Sequence, residues 1–263
     1  MLLTSVILIL QEMLEASLIL SVLLAFSVHR SIPRTWAWWG LALGIACACL
    51  YAGQVNTVSE WFDFVGMEVV NAAIQFAICT ALLLFAALRL VDARHPLGPR
   101  VWQLLMTLLV ALAIAREGFE ILLYGSGFIG DDQLWVTVLA GSLLGAGIGL
   151  SAGALLYYML IGSGGATGQR LLLIFLAIFA GNMASQGTLL LIQADWLPSG
   201  QALWDTSTLV AEDTLLGQVL YATVGYEATP TALQAGAYGL LAATLLLLFG
   251  LRWPRADSAT SGP

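Results

Sequence analysis

The sequence predicts an all-α integral membrane protein with seven transmembrane helices. Two observations lead to this fold class. Of the 263 residues, 60% are hydrophobic and only 10% are charged, which no water-soluble domain of this length would show. Apolar runs, each near the roughly 20 residues that cross a bilayer, also recur along the whole chain. These runs imply membrane lipid as a partner, and the net charge of −7 argues against nucleic acid.

The apolar runs delimit the predicted spans within a single transmembrane domain, 1–263. The first six spans cover residues 4–28, 36–54, 67–91, 101–124, 134–160 and 170–193, and the seventh covers 231–252. An outer loop, 194–230, separates the last two. Within it, residues 203–221 carry leucine and valine near helical spacing but also Glu212 and Asp213. We therefore predict an amphipathic helix outside the membrane, capped by Asp205.

Arginine placement predicts the orientation of the chain. All nine basic residues are arginine, and most of them lie in or beside alternate loops. These are Arg30, Arg34, Arg89, Arg94, Arg100, Arg170, Arg252 and Arg255. Because cytoplasmic loops carry an excess of positive charge, we predict that the N-terminus lies outside and the C-terminus inside. A multi-pass protein of the cell (inner) membrane fits this arrangement.

Acidic residues show the opposite distribution, since most of them fall in the predicted outer loops. An acidic surface concentrates cations, so we treat four of these residues as candidates for collecting a metal ion. They are Glu68, at the outer edge of the third span, and Asp205, Glu212 and Asp213 in the last outer loop.

Two of the predicted spans contain charged residues, where each unpaired charge costs about 2.5–3.5 kcal/mol. These residues are Glu12 and Glu15 in the first span and Arg116, Glu117 and Glu120 in the fourth. Each glutamate pair has i, i+3 spacing and therefore shares one helix face. Arg116 stands four residues before Glu120 and can pair with it. Gln11 holds the same place before Glu15 but supplies no charge.

Four carboxylates against one guanidinium leave a surplus of negative charge between these spans. Carboxylate oxygens suit hard cations, so we predict a mid-membrane metal site formed by the four glutamates, with Gln11 and Arg116 as motif partners. Three other interpretations are a structural ion pair between the two helices, glutamates at the membrane interface, and a proton relay without metal. A membrane-embedded metal-dependent oxidoreductase and a proton-coupled carrier of a small organic cation are rivals from other classes.

The first six spans show an internal repeat. "QEMLE" in the first span corresponds to "REGFE" in the fourth, and "NAAIQ" in the third corresponds to "NMASQ" in the sixth. The second correspondence gives a candidate polar shell of Asn71, Gln75, Asn182 and Gln186. Since three spans is an odd number, the second repeat (101–193) must be inverted relative to the first (4–91), as in many secondary transporters.

These motifs resemble those of the high-affinity iron permeases of the iron/lead transporter family. The second motif is a complete R-E-x-x-E, and "LWDTSTLVAEDTLLGQVLYATVGYEATPT" is similar to the family's last outer loop, so the resemblance covers nearly the whole chain. It implies iron import, with both glutamate pairs as metal-handling residues. Gln11 departs from the family pattern, which usually has arginine at this place.

The resemblance also implies the substrate and the partners. Iron, as Fe³⁺ or Fe²⁺, is the expected cargo, with no prosthetic group and no enzymatic activity. Lead or another divalent metal is the alternative substrate. Members of this family often work beside an iron-oxidising or iron-delivering protein, so we expect a partner of that kind.

Overall fold

The computed structural model describes residues 1–92, 96–130 and 132–251. Arg94, Arg252 and Arg255, which entered the orientation argument, lie outside the described residues. Helices contain 81% of the described residues, and no β-strand occurs among them. The described helices are α1 (Leu2–His29), α2 (Thr35–Gly53), α3 (Val55–Ser59), α4 (Trp61–Phe64), α5 (Gly66–Asp92), α6 (Pro99–Ser126), α7 (Asp132–Gly162), α8 (Gly165–Gln193), α9 (Leu215–Val224) and α10 (Ala232–Gly250). The prediction of an all-α protein is therefore confirmed.

Six of the described helices are long and apolar enough to cross a membrane: α1, α2, α5, α7, α8 and α10. α6 has the same length as α1, 28 residues, but it carries Arg116, Glu117 and Glu120. These charges make α6 less apolar than its neighbours. The six helices differ from the predicted seven spans by α6 alone, so the seventh span stays a prediction.

The prediction of a helix over 203–221 is wrong at its start, because the helix begins only at Leu215. Thr214 is the N-cap, and its Oγ1 accepts a hydrogen bond from the Gly217 N–H at 3.1 Å. α9 also packs along α1. The helix therefore contacts the bundle through α1.

The residues before α9 form turns that are tied to the loop before α10. Asp205 accepts a hydrogen bond from the Ser207 N–H at 2.9 Å and so closes a turn instead of capping a helix. Leu203 N–H donates to the Pro230 carbonyl at 2.8 Å. The leucine spacing predicted a helix here, but these bonds engage backbone groups that a helix would need.

Among the described helices, α1 with α7 and α2 with α6 form the two most extensive pairs. Glycines at every fourth position of α7 face α1: Gly141, Gly145, Gly149 and Gly153. Because these glycines let the backbones approach closely, Ser17 of α1 donates to the Gly149 carbonyl at 2.9 Å. In the other pair, Gly40 and Gly44 of α2 lie against α6 in the same way.

α1 and α8 form the centre of the bundle. In their most apolar stretches, 67% and 78% of the residues are buried, against 17% in α10. α5 and α6 pack around these two helices, and α10 covers α8. Polar side chains on α1, α5, α6 and α8 can therefore meet inside the bundle.

Candidate cation site around Arg116

Arg116 lies at the centre of a buried cluster of glutamates. Its Nη1 is 3.4 Å from Glu15 Oε2 and 3.7 Å from Glu12 Oε2, and its Nη2 is 3.0 Å from Glu120 Oε1. Nη1 also contacts Glu117 Oε2. The structure thus brings all four predicted glutamates, two from α1 and two from α6, around one guanidinium.

Most of this glutamate cluster is shielded from the surface. Glu12 and Glu15 are each 5% exposed, and Glu117 is 2% exposed. The Glu120 side chain is 30% exposed, so it is the group through which the cluster reaches the surface. Buried charges are tolerated when they are paired, and here the pairing joins two helices. The ion pairs therefore fix α1 against α6.

The residues between the two α6 glutamates explain why the carboxylates face α1. Gly118 approaches α2, where a Cβ on it would lie 3.1 Å from the Ala48 Cβ. Phe119 stacks on Tyr51 of α2, with ring centroids 3.7 Å apart. Since this face is committed to α2, helical spacing turns the charged residues of α6 toward α1. About 15 Å of helix, at 1.5 Å per residue, separates the cluster from the Leu2 end of α1.

Amide side chains form a chain of hydrogen bonds beside the glutamates. Gln75 Nε2 donates to Gln186 Oε1 at 2.7 Å. Gln186 Nε2 lies 3.3 Å from Glu15 Oε1 and 3.2 Å from Asn182 Oδ1, and donates to both. Three of the four predicted shell residues are therefore linked to the cluster, with Gln186 in direct contact.

Tyr51 of α2 is a site residue that the sequence analysis missed. Its hydroxyl donates to Asn71 Oδ1 at 3.1 Å, so Asn71 joins the site through this tyrosine. The hydroxyl also lies 3.5 Å from the carbonyl of Met67, the residue before Glu68. No motif marks an isolated tyrosine near a helix end, and only the packing of α2 on α6 identifies it.

Gln11 does not take the place in the first motif that Arg116 takes in the second. It lines the contact between α1 and α9 beside Leu215. Within the described part of the chain it makes no hydrogen bond to Glu15, which accepts instead from Gln186 and Arg116. One guanidinium therefore serves both motifs.

The two E-x-x-E motifs thus form one cluster, and a family comparison covers them both. The model of the iron permease FTR1 family matches residues 2–254. The chain belongs to the iron permease FTR1 family. This permease is therefore a multi-pass membrane protein of a family that transports iron, with a metal ion as its substrate. No curated protein and no solved structure matches the chain significantly.

The described residues of this permease include no group of three or more His, Cys, Asp or Glu side chains arranged to hold a metal ion. The geometry of the guanidinium gives the reason. Glu120 contacts Nη2 of Arg116, whereas the other three glutamates contact Nη1. The guanidinium thus occupies the space between the carboxylate oxygens, which are arranged around its two terminal nitrogens rather than around a metal ion.

The predicted outer collection residues of the permease do not converge on one site. Asp205 and Asp213 are exposed, and hydrogen bonds from the Ser207 hydroxyl and N–H hold the pKa of Asp205 below its usual value. Glu212 Oε1 accepts from the Ala228 N–H at 2.7 Å, so this carboxylate supports the loop.

Glu227 of the permease, which the sequence analysis did not single out, lines a cavity of about 310 Å³ in the same loop. Ser185 of α8, the neighbour of Gln186, lines it too. Burial, together with the charge of Glu212, raises the pKa of Glu227 to about 7. Its Oε2 accepts from Gln234, while its Oε1 is buried and has no hydrogen-bond partner in the described chain. One acid among many in an acidic loop has no distinguishing sequence signal.

Proposed function

We propose that this permease imports iron, as Fe²⁺ or Fe³⁺, across the cell (inner) membrane through the glutamate cluster. One observation carries the proposal: four carboxylates from two helices already surround a single cationic group. Carboxylate and amide oxygens suit hard cations. In this proposal a transported metal ion, bound by Glu12, Glu15, Glu117 and Glu120, takes the place of the Arg116 guanidinium.

The guanidinium is incompletely satisfied, which favours its exchange for a metal ion. Among the described residues, Arg116 Nε has no hydrogen-bond partner, and Glu12 Oε2 accepts no hydrogen bond. One positive charge also balances at most one of the four carboxyl groups once these lose their protons. A divalent or trivalent cation balances more of this charge, so it competes with the guanidinium.

Amide groups complete the proposed coordination. Gln75 Oε1 is buried and has no hydrogen-bond partner in the described structure, so its lone pairs are available to a metal ion. Gln186 Oε1 accepts a hydrogen bond from Gln75 at 2.7 Å, and Gln186 Nε2 donates one to Glu15. In this proposal these two bonds orient Gln75 and Glu15 toward the cluster. Asn182 accepts from Gln186 at 3.2 Å, so we assign it to the support of this amide.

Access from the outer surface leads through Glu120, the most exposed glutamate of the cluster. The outer acids, Glu68, Asp205, Glu212 and Asp213, attract cations by their summed charge rather than as a preformed site. The membrane potential then favours inward movement by about 2.3 kcal/mol per charge per 100 mV.

The proposed transport cycle is a rocking of two inverted repeats, 4–91 and 101–193. The helix pairing supports it, because α1 of the first repeat lies along α7 of the second and α6 of the second lies along α2 of the first. In the two repeats α1 is equivalent to α6 and α2 to α7. Exchanging the equivalent helices converts one pair into the other, as a pseudo-two-fold axis requires. Seven spans, with α6 as the fourth, and an outer N-terminus belong to the same proposal.

Lead or another divalent metal is the alternative substrate, and a membrane-embedded metal-dependent oxidoreductase is the alternative from another class. Di-iron enzymes in helix bundles pair glutamate with histidine. The described side chains around Arg116 include no histidine, so the observed cluster favours transport. An iron-oxidising or iron-delivering protein is the expected partner.

Uptake of radioactive iron into proteoliposomes tests this proposal. We expect wild type to accumulate iron and Glu120→Gln to be slower by about tenfold or more, because a charged ligand is lost. The matched control is Glu60→Gln, the same change at an exposed residue, which should keep the wild-type rate. Competition by manganese, zinc and lead ranks the metals. Equal rates of iron uptake in wild type and Glu120→Gln would contradict the proposal.

A further inference from the structure

A second cavity lies at the end of the bundle away from the glutamate cluster. It has a volume of about 180 Å³, and its polar lining consists of His29 and Arg30 of α1, Arg89 of α5 and Gln169 of α8. No acidic residue of the described chain lines it. This end of an apolar bundle therefore gathers basic side chains around one cavity.

Arg89 has no anionic partner of its own. Among the described residues it forms no hydrogen bond and no ion pair, and its Cζ lies 5.7 Å from the centroid of the Phe249 ring. An aromatic face attracts the charge but leaves the N–H donors of the guanidinium unpaired. Arg89 is half-buried, so its donors have limited access to water, and an anion in the cavity would stabilise this arginine.

Arg30 adds to the positive charge instead of balancing it. It pairs with Asp92, whose other oxygen accepts from the Leu97 N–H at 2.8 Å. Arg30 and Arg89 are close enough to repel each other, so one carboxylate serves two guanidiniums. A surplus of one positive charge results before His29 is counted.

His29 gives an independent sign of a ligand. Its Nε2 is buried and has no hydrogen-bond partner in the part of the chain that the structure describes. Gln169, on the α8 wall of the same cavity, supplies a further polar side chain. The unpaired guanidinium requires a group that carries negative charge and accepts hydrogen bonds, and His29 Nε2, in the tautomer that carries its proton there, can donate to the same group.

We propose that this cavity binds the phosphate group of an anionic molecule. Guanidinium groups pair with phosphate oxygens through parallel N–H donors, and basic pockets between membrane helices bind lipid head groups. The volume of about 180 Å³ is below the roughly 300–1,000 Å³ of pockets for drug-sized ligands. It therefore suits a lipid head-group phosphate or free phosphate. This site is separate from the glutamate cluster and does not rest on iron transport.

Binding to the purified full chain tests the proposal with two probes. Inorganic phosphate is titrated in detergent at constant ionic strength, and nanodiscs with phosphatidic acid are compared with nanodiscs of phosphatidylcholine alone. The readouts are the Kd and the midpoint of thermal unfolding. Arg89→Gln removes the unpaired guanidinium. Arg100→Gln is the control, because Arg100 is an exposed arginine of α6 that lines a different cavity.

We expect wild type and Arg100→Gln to bind at least one probe, and Arg89→Gln to bind it about tenfold more weakly or worse. Phosphate binding in detergent would identify a free anion, whereas a response to phosphatidic acid alone would identify a lipid head group. Arg89→Lys keeps the charge but loses the planar fork, so it should bind with intermediate affinity even if Arg89→Gln fails to fold. Equal weakening by Arg89→Gln and Arg100→Gln, or no binding of either probe to wild type, would overturn the proposal.

Discussion

The two E-x-x-E motifs carry the same pair of carboxylates but differ in their surroundings. In α6, Arg116 and both glutamates enter one cluster, while Gly118 between them packs on α2. In α1, Glu12 and Glu15 reach the same cluster, whereas Gln11 faces α9. The second motif therefore supplies its own counter-charge, and the first does not.

This difference shows how one guanidinium can serve two motifs. Arg116 reaches both glutamates of α1, so that helix needs no arginine at position 11 to hold its carboxylates in place. The fold then presents four carboxylates to a single positive charge. In our proposal, this imbalance is what allows a metal ion to compete with the guanidinium.

The largest expected effect tests whether the two motifs are equal halves of one site. One double variant combines Glu12→Gln with Glu15→Gln, and the other combines Glu117→Gln with Glu120→Gln. Each removes two charged ligands, so we expect iron uptake into proteoliposomes to fall by about 100-fold or more. Glu60→Gln is the control. Uptake that survives the loss of either pair would show that the motifs do not act together.

A smaller effect tests the symmetry of the helix pairs. A Cβ at Gly145 would lie 2.4 Å from the Val6 carbonyl, and one at Gly44 would lie 2.6 Å from the Ile114 Cβ. We expect Gly145→Ala and Gly44→Ala each to lower the free energy of unfolding by about 1–3 kcal/mol, measured by thermal unfolding in detergent.

The control for this pair is Gly147→Ala, on the same helix as Gly145, where a Cβ would meet no described atom within 4 Å. It should leave stability unchanged or slightly raised. If only one of Gly145→Ala and Gly44→Ala lowers the stability, the two helix pairs are not equivalent and the symmetry of the repeats is contradicted.

Gln11→Arg makes the two motifs alike and should weaken the permease. The longer, charged side chain must enter the contact with α9, which costs on the order of 1 kcal/mol. A second guanidinium also reduces the negative surplus, so we expect iron uptake to slow by about threefold to tenfold. Gln11→Met, with similar length and no charge, should transport at nearly the wild-type rate. Faster uptake in Gln11→Arg would contradict the role given to the surplus.

The last expected effect depends on pH and lies outside both motifs, at Glu227. Its pKa rises from 4.5 to about 7 on folding, so the folded protein holds this proton more tightly than the unfolded chain does. The resulting stabilisation is fully present below about pH 4.5 and is lost as the pH rises through 7. As the pH rises from about 5 to 8, the midpoint of thermal unfolding of wild type should therefore fall relative to that of Glu227→Gln.

Glu212→Gln is the control for this pH dependence. It removes the neighbouring negative charge that raises the pKa of Glu227, so it should move the transition to lower pH. A difference between wild type and Glu227→Gln that stays constant with pH would contradict the assignment.

The helices and the glutamate cluster could be predicted from the sequence because both depend on local spacing. Apolar runs set the long helices, and i, i+3 spacing places Glu12 with Glu15 on one face. The repeated motif then indicated which two helices meet. Gln186 was found in the same way, through its counterpart Gln75, and the two are hydrogen-bonded at 2.7 Å.

The remaining features depend on contacts between distant parts of the chain. α9 starts late because the residues before it bond to the loop before α10, as Leu203 does with Pro230. Tyr51 enters the site only because α2 packs on α6, and Glu227 only because its loop folds over α8. No local pattern records such contacts, so the sequence alone could not predict them.

Iron binding to purified Arg116→Gln is the most direct test of the central claim, that a metal ion takes the place of the guanidinium. The variant should be less stable without metal by about 3–5 kcal/mol, so its fold is checked by thermal unfolding with and without iron. Because the competing cation is gone, we expect the Kd for iron to be lower than in wild type by about tenfold or more, and added iron to restore stability. Weaker binding than wild type by a folded Arg116→Gln would contradict the account.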